Sequence, residues 1–295
     1  MKNYNIRLGT APDSWGVWFP DDDKQPDCMR CLDEIALSGF TGVELGPWGY
    51  LPNDINTLKK ALELRGLVLV AGTAGADFSS GASVAKLCAV IDEMAPLLAG
   101  FPEAKYVVLL PDMYTDAATG EETLPRVLDG GALAVMHANI EKICVYVRKL
   151  GLVPALHPHV DSHIQTEEEI ERVLDNTSAE LCFDTGHHLY GGGDPVAFYK
   201  KHFKRIPFMH VKECDMRIKS KMEACGWPFS KAVSEGIMCE PGTGGINFTD
   251  LFGHMKQIGY NGWVVAEQDM YPLEDFNKPL ATAKRTFNYL RGLVG

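Results

Sequence analysis

Five of the nine histidines in the chain fall in three short segments, each of which begins in a run of apolar residues. The segments are Leu156-His157-Pro158-His159, Phe183-Asp184-Thr185-Gly186-His187-His188 and Met209-His210-Val211-Lys212-Glu213. Two other apolar runs end in acids, Gly42-Val43-Glu44 and Trp263-Val264-Val265-Ala266-Glu267-Gln268-Asp269. Mixed imidazole and carboxylate sets suit Zn²⁺, Mn²⁺, Co²⁺ or Fe²⁺, whereas all-oxygen sets suit Mg²⁺ or Ca²⁺. Asp184, His210 and Glu267, arriving from three successive apolar runs, are therefore candidate ligands of a divalent metal. His157, His159 and His187 are candidate general bases or acids, because imidazole titrates near neutrality. Lys212 is a candidate for stabilising an anionic intermediate or delivering a proton. Glu44 is a candidate for binding hydroxyls or for acid–base work, with a rim ion pair as the plain alternative.

Chemistry of this kind requires a scaffold that gathers strand ends. Short apolar runs alternate with helix-period segments along the whole chain, with strands expected at 6–10, 42–46, 67–71, 105–110, 153–156, 180–183, 206–211 and 263–266. Helices are expected near 26–38, 55–65, 84–98, 131–150, 167–174, 195–202, 248–258 and 280–290. Thr166-Glu167-Glu168-Glu169 has the capping-box pattern, and Gly66, Gly151 and Gly259 stand where helices should stop. The strand runs are nearly all apolar rather than alternating, as in a parallel sheet covered by helices on both faces. About eight such units in a chain this long predict an α/β protein made of one (β/α)8 TIM barrel, residues 1–295 forming a single domain. A doubly wound sheet would need a glycine-rich phosphate loop after an early strand, and Gly9-Thr10-Ala11-Pro12-Asp13 is not one. In a barrel the catalytic groups stand at the C-terminal strand ends, where the histidines and acids above are found.

The 295 residues carry 28 Lys+Arg against 39 Asp+Glu, a formal charge of −11, which opposes binding to phosphate backbones. The hydrophobic share of 46% is that of a globular chain. No run reaches the roughly 18 apolar residues of a membrane helix, and the N-terminus lacks the apolar core of a secretion signal, so a cytoplasmic protein is expected. The eight cysteines, scattered through a chain able to build its own core, are expected to be free thiols, Cys28 and Cys31 lying on or beside a helix. Partners expected are a small-molecule substrate, no nucleic acid and no membrane, with a homo-oligomer left open.

The segments Phe183 to His187, Met209 to Lys212 and Gly262 to Glu267 resemble the metal motifs of the xylose isomerase-like barrel superfamily, which includes sugar isomerases, epimerases and type-2 AP endonucleases. That resemblance, over nearly the whole chain, implies metal binding by Asp184, His210 and Glu267. Within the superfamily, Leu156 to His159, the Asp184 to His188 segment with Tyr190 and Gly192, Gly236-Ile237-Met238, Pro241 to Gly244 and Trp263 to Asp269 resemble the inosose dehydratase family of inositol catabolism. The superfamily's usual fourth ligand is a Glu at the end of strand five; here His157 stands there, as in the dehydratase branch. The N-terminal stretch Thr10 to Trp18 differs from the dehydratase pattern and leaves the substrate open.

The resemblance implies a lyase that removes water from a polyhydroxylated ketone, a keto-cyclitol or keto-sugar, through an enediolate, with Mn, Co or Zn as cofactor. An isomerase or epimerase making the same enediolate, and a lyase that cleaves 3-oxo-glycosides by β-elimination, are the alternatives within this chemistry. A DNA-repair nuclease is opposed by the charge, and a metal-free binding module would hold no metal. Trp15, Trp18, Trp48 and Trp227 fall in or near strand-end loops, where they serve either to pack a ring substrate or to fill the core. Residues 239–245 read as a mobile loop over the site.

Overall fold

The structure is a computed structural model that describes residues 3–117 and 119–295. Its strands are β1 (Asn5–Thr10), β2 (Gly42–Glu44), β3 (Val68–Ala76), β4 (Tyr106–Pro111), β5 (Val153–Leu156), β6 (Glu180–Asp184), β7 (Phe208–Val211), the short β8 (Glu213–Cys214) and β9 (Met238–Cys239), and β10 (Asn261–Ala266). All except β8 and β9 are parallel and close into an eight-stranded barrel in the order β1-β10-β7-β6-β5-β4-β3-β2. Closure is made by β1 against β10, in register from Asn5↔Asn261 to Thr10↔Ala266. The fold is thus the expected TIM barrel, and its apolar strands are buried on both faces because helices surround them.

The outer layer is α1 (Cys28–Ser38), α2 (Ile55–Glu63), α3 (Gly81–Ala99), α4 (Gly130–Lys149), α5 (Glu167–Asn176), the short α6 (Thr185–Tyr190), and α7 (Pro195–His202). It continues through α8 (Met216–Cys225), α9 (Phe229–Ser234), α10 (Phe248–Ile258) and α11 (Lys278–Val294). Side chains of Asp27, Asp54, Ser80 and Asp129 cap α1 to α4. The capping box read from Thr166 is complete at α5: Glu169 N donates to Thr166 Oγ1 at 3.3 Å and Thr166 N donates to Glu169 Oε2 at 2.8 Å.

The barrel interior is packed rather than open. Phe208 stacks on Tyr106 with ring centroids 4.5 Å apart, and the buried Trp263 ring lies beneath the Arg7 guanidinium. A side chain at Gly42 would come within 2.6 Å of Trp263, so the plug itself demands glycine there. This plug closes the N-terminal end and leaves the cavity at the other end.

Three local features depart from the sequence expectation. β3 runs past the expected end at residue 71 to Ala76, since the small residues Gly72 to Ala76 pair in full with β4. Between β7 and α10 the chain inserts β8, α8, α9 and β9, whose apolar residues Met222, Phe229, Val233 and Ile237 form a small core with Val160 and Tyr190. The expected loop at 239–245 does not cover the site. Buried Glu213 captures it instead, accepting from Gly245 N at 3.0 Å and Ile246 N at 3.2 Å, and Phe229 of α9 lines the cavity. All eight cysteines are free, with Cys28 and Cys31 on α1. No helix among the described residues is long and apolar enough to cross a membrane.

Candidate active site

The end of β6 shows why its residue order matters. Asp184 caps α6 by accepting from His187 N at 2.8 Å, which turns the chain inward at the barrel mouth. Thr185 Oγ1 donates to Lys212 O at 2.7 Å and accepts from Lys212 N at 3.0 Å, fixing the residue that follows β7. A side chain at Gly186 would meet Lys212 Cγ at 2.7 Å, so glycine is what lets the lysine stem pass. His187 then faces the cavity.

Donor atoms of His157, Asp184, His210 and Glu267 all lie within 4.8 Å of one another, and all four residues are buried. His210 sits between two carboxylates: its Nε2 donates to Glu44 Oε1 at 2.7 Å, and its Nδ1 lies 3.0 Å from Glu267 Oε2. His157 Nδ1 donates to Cys182 O at 3.3 Å, leaving Nε2 bare. Asp184 Oδ2 and His210 Nδ1 are buried with no hydrogen-bond partner. Each still lies beside a charged group, Asp184 Oδ2 3.4 Å from Lys212 Nζ and His210 Nδ1 3.0 Å from Glu267 Oε2, and their convergence with the bare His157 Nε2 fits a bound cation. His157 and His210 also approach Cys182, but burial pushes that thiol up to about 12 despite His210, and it remains protonated. The set with two carboxylates is the better metal cradle.

Lys212 supplies a second positive centre. Its Nζ donates to Asp269 Oδ2 at 2.9 Å and to His187 Nε2 at 3.0 Å, and lies 3.2 Å from Glu267 Oε2 and 3.4 Å from Asp184 Oδ2. Burial alone would favour the neutral amine, but Asp184, Asp269 and Glu267 outweigh it and hold Lys212 well above its usual value. Burial raises Asp184 to about 6, Lys212 opposing and Glu267 adding. Burial also acts on Glu267, yet His210 and Lys212 keep its carboxyl below the usual range. His159 and His187 are both lowered by burial and by Lys212, so each is neutral near pH 7. His159 Nδ1 donates to Val160 O at 2.8 Å, and its ring is 4.1 Å from that of His187.

These groups line one cavity of about 490 Å³ at the C-terminal barrel mouth. Glu44, His157, His159, His187, His210, Lys212 and Glu267 all reach it, and Asp184 lies buried behind Lys212. His188 turns away to pack on Phe183 and Phe198. Trp18 and Trp48 line the cavity; Trp15 is core, donating to Glu34 Oε2 at 2.9 Å, and Trp227 lies under the ammonium groups of Lys221 and Lys231. Asp13, Asp269 and Phe229 join the cavity without having been singled out as site residues. Asp269 was legible as a strand-end acid, Asp13 stood only in the stretch after β1, and Phe229 carries no sequence signal.

A family model described as the xylose isomerase-like TIM barrel matches residues 32–293. The chain belongs to that family. Among its relatives, an inosose dehydratase from Geobacillus thermodenitrificans is 28% identical, covering 100% of this chain and 99% of that protein. The rhizopine catabolism protein MocC of Rhizobium meliloti is 30% identical, covering 95% of this chain and 86% of that protein. The probable 3-DHS dehydratase AsbF from Bacillus anthracis shares the fold, with a TM-score of 0.70 at 14% identity, covering 97% of this chain and 98% of that one. In this xylose isomerase-like barrel the strand-five position carries His157, whose imidazole joins the other three donors.

Proposed function

We propose that the chain is a divalent-metal-dependent lyase that removes water from a keto-cyclitol or keto-sugar, in the manner of the inosose dehydratases it resembles along its full length. The observation that carries this reading is the meeting of Asp184 Oδ2 and His210 Nδ1, neither of them hydrogen-bonded, with His157 and Glu267 in one cluster of donor atoms beside the Lys212 ammonium. Asp184, His210, Glu267 and His157 would hold the ion, and two imidazoles with two carboxylates suit Mn, Co or Zn. When bound, it supplies Lewis-acid polarisation of the substrate ketone. Glu44, hydrogen-bonded to His210 Nε2, fixes that imidazole's tautomer and orientation.

His159, with its Nδ1 proton spent on Val160 O, offers a neutral Nε2 as the base that takes the proton from the carbon next to the ketone. The electrons of the broken C–H bond pass into the enediolate. Lys212 gives a proton to the neighbouring hydroxyl as its C–O bond breaks, so that water leaves and the remaining enol tautomerises to a dione. His187 Nε2, accepting from Lys212, holds the ammonium in place for that transfer.

The test is elemental analysis of the purified protein followed by incubation of the metal-loaded form with 2-keto-myo-inositol. A dione with ultraviolet absorbance is expected, and Asp184→Ala and Glu267→Ala should lose both metal and turnover. His159→Asn should keep the metal while kcat falls about 10²–10⁴-fold. An isomerised ketone of unchanged mass, or no product, overturns the dehydratase reading.

A further inference from the structure

The cavity is divided by polarity. Strands β5, β6, β7 and β10 end in the histidines, acids and lysine described above, whereas β3 and β4 present Thr73, Ala74, Gly75, Val108 and Leu110 to it, Thr73 being turned to Glu44, with Asp112 following β4 as the acid on this side. The loops after β1 and β2 add Trp18, Phe19 and Trp48 on that second side, and Met113 follows β4. The polar groups are buried, with His157 4% and His210 2% exposed, while Trp18, Phe19, Trp48, Leu110 and Met113 are half-buried. The apolar half therefore forms the outer part, nearer solvent.

Its aromatic members are held in place before any ligand arrives. Trp18 is stacked on Tyr271 with centroids 5.1 Å apart, and on Phe229 at 6.1 Å with planes only 9° apart. Trp48 Nε1 donates to Glu93 Oε2 at 3.3 Å, which anchors the indole. Rigid aromatic walls lower the ordering cost of binding a flat apolar group.

A bare ring polyol lays its C–H face on one indole and has no use for the rest of such a wall. It carries hydroxyls around its whole rim, and each one turned towards Leu110, Met113 and Trp18 would lose water without gaining a partner, at a cost of about 1–3 kcal/mol. The cavity, about 490 Å³, is of the size that takes drug-sized ligands, which is more room than one small ring needs. We infer that the half of the mouth formed by Trp18, Phe19, Trp48, Leu110 and Met113 is a subsite for a flat apolar substituent, aryl in character, carried on the ring of the substrate. The inference rests on the keto-ring reading above for what occupies the polar half.

Two ligands without a ketone, methyl β-D-glucopyranoside and phenyl β-D-glucopyranoside, separate the halves because they differ only in the substituent. Binding to manganese-loaded protein is followed by calorimetry and by quenching of tryptophan fluorescence. The phenyl ligand is expected to bind at least tenfold more tightly than the methyl one. Trp18→Ala should reduce this ratio to about twofold or less, and Trp18→Phe should restore most of it. Trp48→Ala provides a second lesion in the same wall should Trp18→Ala not fold. Equal affinity of the two ligands, binding of neither, or a phenyl preference surviving both alanine variants overturns the subsite. Protein that turns over 2-keto-myo-inositol but shows no phenyl preference sinks the subsite alone. A phenyl preference without turnover of any keto-ring sinks the proposed function alone.

Discussion

Lys212 Nζ stands among Asp269, Glu267 and Asp184, and without its charge three buried carboxylates face one another. Lys212→Met should therefore destabilise the metal-free protein by about 3–5 kcal/mol in urea denaturation, with the loss reduced when a divalent ion is added. His188 offers a test remote from that charge network. Burial among Phe183 and Phe198 lowers its pKa from 6.5 to about 4, so the unfolded chain takes up a proton there that the folded chain refuses. The associated stability is fully present above pH 6.5 and is lost as pH falls towards 4. His188→Gln should flatten the fall of the denaturation midpoint in this window, by up to the ~1.4 kcal/mol per pH unit that one proton contributes. At this scale, residue type and position after an apolar run were enough to single out Glu44, His157, His159, Asp184, His187, His210, Lys212 and Glu267. His187 was named and the adjacent His188 was not, and the structure turns the first to the cavity and the second to Phe183 and Phe198. Residue type and position did not reveal that Glu44 is engaged by His210, which depends on a contact across 166 residues.

Among the elements, the insertion between β7 and α10 is tied to the barrel by its small apolar core, by Gln268 Nε2 donating to Met238 O at 3.1 Å, and by Asp161. Asp161, at φ 52°, is the non-glycine residue with positive φ among the described residues. Its carboxylate accepts from Phe229 N at 3.1 Å and Thr115 Oγ1 at 2.9 Å, joining α9 to the loops after β4 and β5. Asp161→Ala should destabilise by about 1–3 kcal/mol for each buried donor left unpaired, and should raise KM more than it lowers kcat, because Phe229 loses its anchor. Urea melts, limited proteolysis within 216–238 and steady-state kinetics check the three parts. Barrel strands and outer helices were legible because their apolar periods are long and their caps explicit. β8, β9 and the short α6 and α9 were not, since elements of two to six residues have no period to read and owe their shape to tertiary contacts.

For the molecule as a whole, several of the acids behind the −11 charge are gathered at one barrel end, where a bound cation would offset them. On the proposed function, metal binding would contribute to the folding free energy. At a thousandfold excess over its Kd, an ion bound only by the folded state adds about 4.1 kcal/mol, so Tm should rise with metal concentration and fall on chelation. Scanning calorimetry across an EDTA titration measures this, and Asp184→Ala should show no metal-dependent shift.

The pairing of β1 with β10 spans 256 residues at Thr10 and Ala266. During synthesis, a chain that has not yet released β10 from the ribosome carries an open seven-stranded sheet with unpaired edges at β1 and β7. Glu267 follows β10 directly, so the fourth donor and the last strand emerge together, and until then His157, Asp184 and His210 form only part of the cradle. Translation thereby sets the order of events: edge closure and completion of the metal cradle coincide, and the nascent barrel is most exposed to wrong pairing just before both.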